Sequence, residues 1–113
     1  MSNSILSRGE KIFVIHRQMF HGDVRRHFFG VVDECVDSLA RVTGSVFSLD
    51  TRTNQFTRRR AARTRVIPLA SADIIINVLP STVNLERIHY ISTQGGRIEV
   101  TDGNGWSLDI NPN

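Results

Sequence analysis

The chain has 113 residues, 40% hydrophobic and 22% charged, a globular balance that excludes a disordered polymer and suffices for one buried core. Its longest apolar run, Ile74 to Leu79, is broken by Asn77 and falls far short of the roughly 20 residues that span a bilayer, so no membrane crossing is expected. The net charge is +3, and thirteen of the fourteen basic side chains are arginine; arginine suits bidentate contacts to phosphate or carboxylate, although a genome rich in guanine and cytosine would produce the same bias.

Met1 to Glu10 carries charges without the apolar stretch of a secretory signal. It reads as a flexible N-terminal arm (1–10) ahead of a single β domain (11–113). From Lys11 to Phe20, Ile12, Val14 and His16 occupy one parity and Phe13, Ile15 and Met19 the other, the pattern of a strand inside a sheet. His21-Gly22-Asp23 makes a turn, after which Arg25-Arg26-His27 leads into an apolar run, Phe28 to Cys35.

Val36-Asp37-Ser38 reads as a three-residue hairpin loop. Centred on Asp37, the hairpin sets Val32 opposite Val42, Phe28 opposite Val46, Arg26 opposite Ser48 and Asp33 opposite Arg41, so that like meets like and the one charged couple is of opposite sign. A slip of one residue would instead bring Arg41 to Glu34. The same register puts Gly30 across from Gly44, a pairing expected at a bulge or sharp bend.

After the turn at Asp50 to Asn54, Leu49 should neighbour Phe56, and Phe47 should face Arg58. Residues 58–65 then hold five arginines and no acid, whereas residues 66–113 hold two arginines against five acids. Thr64 to Leu69 and Ile74 to Leu79 are further strands around a turn at Ala70 to Asp73, with Pro68 confining the first to an edge or to the end of its pairing. Pro80 stops the second, and at most one short helical turn is expected near residues 81–86. The tail, Arg87 to Ser92, Arg97 to Thr101 and Trp106 to Ile110, alternates apolar and polar residues between glycine turns.

About nine short strands without a long helix define an all-β, antiparallel protein, a single small barrel or compact sandwich with strongly bent strands. In architecture alone the glycine-bearing strands resemble small SH3-like and Sm-like barrels, which implies no function.

No complete catalytic or cofactor motif is present, and neither metal nor cofactor is expected. The principal candidate site is the arginine segment Arg58, Arg59, Arg60, Arg63 and Arg65, with Arg25 and Arg26 as a second basic group on the same end of the sheet. It could meet the phosphates of nucleic acid, single-stranded RNA or DNA, or another polyanion, or an acidic protein partner; a solvated loop guarding an edge strand would look the same. Stacking of bases would further need exposed aromatics, whereas Phe28, Phe29 and Phe56 read as core. His16, His21, Asp23 and His27 lie close in sequence, but their spacing matches no metal-ligand pattern, and an acid/base or metal-dependent enzyme is the remote alternative.

Cys35, the lone cysteine, excludes an internal disulfide and fits a reducing, cytoplasmic setting; Asp33 and Glu34 beside it disfavour a reactive thiolate. Asp33, Glu34 and Asp37 would be spread apart by strand alternation and so make a poor cation site. Gly95-Gly96 and Asp102-Gly103-Asn104-Gly105 lack the lysine and following helix of a phosphate loop and read as turns. The expectation is a non-enzymatic binding or self-assembly module, homo-oligomeric through its free edges.

Overall fold

The computed structural model describes residues 5–16, 26–50, 52–53 and 55–110; 59% of these described residues are β-strand, and none of them is in an α-helix. The chain divides into two compact units, 1–81 and 82–113.

Among its described residues the first unit carries six strands: β1 (Lys11–His16), β2 (Arg26–Val36), β3 (Leu39–Asp50), β4 (Gln55–Arg58), β5 (Arg63–Pro68) and β6 (Ile74–Leu79). They form one antiparallel sheet in the order β4-β3-β2-β1-β6, with β5 also on β3. The long β3 serves two neighbours along one side: residues 39–44 pair with β5 and residues 47–50 with β4. Among the described residues β6 pairs with β1 alone, so the ladder stays open there. The strand placed at residues 11–20 is described only to His16; the turn His21-Gly22-Asp23 and Arg25 lie outside the described residues.

The hairpin β2–β3 holds the inferred register from Arg26↔Ser48 to Val32↔Val42, including Gly30↔Gly44. It then shifts by one, pairing Glu34 with Arg41, Cys35 with Ala40 and Val36 with Leu39. This corrects the expected Asp33–Arg41 couple: Asp33 is the extra residue of a bulge, and the loop shortens to Asp37-Ser38. Asp37 takes φ 55°, a conformation that aspartate tolerates better than most residues. The bulge is held by its neighbours, since Arg8 Nε donates to the Asp33 carbonyl at 3.1 Å and Thr43 Oγ1 donates to its carboxylate. Arg41 pairs with Glu34 at 3.5 Å, an exposed contact of little energetic weight.

Because directly opposed residues share a face, the register sorts the side chains. One face buries Ile12, Val14, Phe28, Val32, Ala40, Val42, Val46 and Ile67, with Leu6 folded onto it. Leu6 belongs to the segment expected as a loose arm; beside it Gly9 N donates to the Val32 carbonyl and Val32 N to the Glu10 carbonyl. The other face carries an aromatic chain: Phe13 stacks on Phe29 at 4.1 Å, Phe29 meets Phe47 edge-on, and His27 stacks on Phe56 at 4.5 Å. The two parities of β1, both apolar in the sequence, are thus both used.

The second unit is a meander of β7 (His89–Ser92), β8 (Ile98–Thr101) and β9 (Ser107–Asp109), entered through a 3₁₀ turn at Leu85–Arg87. Asn84 caps that turn by accepting from Glu86 N. Asp102, 1% exposed, organises the turn between β8 and β9: its Oδ1 accepts from Asn104 N at 2.8 Å and Trp106 N at 3.3 Å, and its Oδ2 from Asn84 N at 3.2 Å. Those N–H groups hold its carboxyl below the usual range, the Asn104 bond most of all.

Candidate functional site

Across the face that buries Phe28, the register builds rows. One row reads Val46, Phe28, Val14, Ile76 from β3 to β6. The next row out reads Thr57, Ser48, Arg26, His16, Ile74 from β4 to β6. Within one step of the pleat this face therefore changes from mostly buried apolar side chains to polar and cationic ones, of which Ser48 is itself buried.

Two further arginines of the octet lie on this face, one of them bonded to the row. Arg59 Nε donates to Ser48 Oγ at 3.3 Å, and Arg59 N donates to the Val46 carbonyl, continuing the β3–β4 pairing by one residue. Arg65, opposite Val42 on β5, lays its guanidinium 5.8 Å from the Phe28 ring centre. Its charge is felt at His16, whose proton affinity is lowered by burial first, then by Arg65 and Arg26, against an opposing pull from Asp73. Arg26 thus lies between Ser48 and His16 in the row, Arg59 bonds Ser48, and Arg65 bears on His16 electrostatically from its place over Phe28.

The octet does not form one stripe. Arg63 faces Gly44 on the same side as Arg65, and Arg60 stands exposed in the connection between β4 and β5. Arg58 belongs to the opposite face, where it covers the Phe47 ring at 5.0 Å and donates to Ser45 Oγ at 3.4 Å. Among the described residues no carboxylate pairs with Arg26, Arg59, Arg60, Arg63 or Arg65; the ion pairs found are Arg41–Glu34, Arg52–Asp50 and Arg97–Asp109.

Among the described residues, His16 and His27 do not converge. His16 shares its face with Arg26, whereas His27 points to the opposite face among Phe13 and Phe56, and His21 and Asp23 lie outside the described residues. Glu34 and Cys35 sit at the far end of β2, Cys35 packed against the core. Among the described residues no three His, Cys, Asp or Glu side chains gather to hold a metal ion. Phe28 and Phe29 are each 2% exposed, as expected of core residues, whereas Phe56 is only half-buried.

Ser48 and Thr57 were absent from the sequence-derived site, although the register that opposed Arg26 to Ser48 already placed a hydroxyl in the row. Among the described residues no helix is long and apolar enough to cross a membrane. Fold and site define a small antiparallel β protein with an arginine-lined row at one end of its main sheet. Comparison with family models, curated proteins and solved structures gives no significant match.

Proposed function

We propose that the chain is a binding module for a polyanion, recognised at the Thr57–Ser48–Arg26–His16 row and along the adjoining β4–β5 connection. The observation that carries this reading is the set of five arginines, Arg26, Arg59, Arg60, Arg63 and Arg65, that find no carboxylate among the described residues. Guanidinium groups left without internal counter-charge beside two hydroxyls favour an external one, and phosphate matches their fork geometry. Single-stranded nucleic acid is the class to test. With Phe28 and Phe29 buried and Phe56 stacked on His27, recognition runs through the backbone phosphates, and binding is indifferent to base sequence.

The test is fluorescence anisotropy of a labelled single-stranded oligonucleotide titrated with the protein at several salt concentrations. Five phosphate contacts give a slope of log affinity against log salt of about −3.5. Alanine at Arg26, Arg59 or Arg65 should each flatten the slope by about 0.7, whereas Arg58→Ala should leave it unchanged. A slope near zero, or equal effects at Arg58 and Arg59, removes the reading.

A further inference from the structure

The main sheet ends on one side in β6. Among the described residues Ile74–Leu79 pairs with β1 only, and its outer edge makes no backbone hydrogen bond. None of its six residues is charged. Ile75 and Val78, on opposite faces of the strand, are 50% and 54% exposed. An uncharged, β-branched strand with an open edge is a template for another strand. β5 is open as well, but Arg63, Arg65 and Pro68 oppose pairing with a copy of itself.

The ends of β6 carry opposite charges. Asp73 precedes the strand and is exposed. At the far end, Lys11 stands opposite Leu79 and donates its ammonium to the Ser81 carbonyl at 2.8 Å. Asp73 and Ser81 are eight residue steps apart, up to about 26 Å along the strand. The two charges cannot meet within one chain, but they meet twice when two copies of β6 run antiparallel.

We propose that β6 pairs antiparallel with β6 of a second copy of this chain, continuing the main sheet through a two-fold axis at Asn77. A two-fold axis normal to the sheet keeps each face continuous, so residues of like parity oppose one another. Asn77 meets its own copy, Ile75 meets Leu79 of the second copy and Ile76 meets its Val78. Both exposed apolar side chains are thereby covered. Asp73 arrives beside Ser81 and the Lys11 ammonium of the second copy at each end of the ladder.

Light scattering of the full chain over a range of concentrations tests this. The mass should rise from one chain to two, with no larger species. Val78→Lys and Ile75→Lys, at positions exposed in the single chain, should keep the circular dichroism spectrum and weaken dimerisation roughly tenfold or more, through lost cross-strand packing and like charges brought together. Asp73→Lys and Lys11→Glu should each weaken it several-fold at low salt, and the double variant should recover affinity because both contacts are restored with reversed sign. A single-chain mass at every concentration overturns the proposal, even if β6 accepts a strand from another protein. So does a dimer indifferent to Val78→Lys, or a double variant weaker than either single one.

Discussion

Gly44 faces Gly30 across the β2–β3 ladder so closely that a Cβ on Gly44 would run into the Phe29 carbonyl oxygen and stand 2.5 Å from the Gly30 Cα. A Cβ on Gly30 would lie 2.6 Å from Val42 Cγ1 and 2.7 Å from the Thr43 carbonyl oxygen. Gly44 is also the last residue of β3 to pair with β5 before β4 takes over that side.

The two glycines should therefore respond unequally. Gly44→Ala confronts fixed backbone and should destabilise the fold by about 3 kcal/mol or more, the upper range of overpacking costs. Gly30→Ala meets a side-chain methyl that can shift as well as one backbone carbonyl, and should cost less. Urea unfolding of both variants checks the order; equal losses would mean that the close approach does not decide their roles.

His16 should titrate below its ordinary value. Because the folded state lowers its proton affinity, it binds fewer protons folded than unfolded. Its contribution to stability is complete above the unfolded value of about 6.5 and is lost as pH falls below it. Arg65→Gln should move the titration up, and Asp73→Asn should move it further down. NMR titration of the His16 ring reads both shifts, and a polyanion bound at the row should raise the same value by supplying negative charge.

Asp102 should tie the stability of the second unit to its ionised carboxylate. Its folded value is depressed, so the contribution is present above the unfolded value of about 3.9 and disappears as pH falls through the lower folded value. Asp102→Asn, which keeps one acceptor oxygen where two now serve three N–H groups, should lower the melting temperature at neutral pH. The gap from the native chain should close in acid. Near-ultraviolet circular dichroism of Trp106 follows it directly.

Arg58 provides the complementary test on the aromatic face. Replacing it with alanine removes its contact over Phe47 and should cost about 0.5–1 kcal/mol of stability without weakening oligonucleotide binding. The converse holds for Arg60→Ala, whose exposed side chain should matter to binding and little to folding. Thermal melts and anisotropy on the same two proteins separate these roles.

The strands, most turns and the pairing of Arg26 with Ser48 were legible in the sequence, because period-two alternation and like-with-like pairing are local rules that a hairpin must obey along its length. Asp33 was not: its register and the register one residue away each gave Arg41 an acidic partner, and the chain uses both by inserting a bulge between them. The choice rests on Arg8 and Thr43, which bind Asp33 from elsewhere in the sequence. Asp102 likewise read as an ordinary turn residue, since nothing local announces that Asn84 will come to share its carboxylate.

The sequence by itself determined an all-β chain, its hairpin partners, and a block of arginine without local acid, because all of these follow from neighbours along the chain. Only the tertiary structure decided which arginines act together. It brought Arg59 to the row of Arg26 and His16, set Arg65 on the same face over Phe28 and turned Arg58 to the other face, since the face of a guanidinium is set by cross-strand register and by the hand-over of β3 from β5 to β4, and neither can be counted from spacing alone.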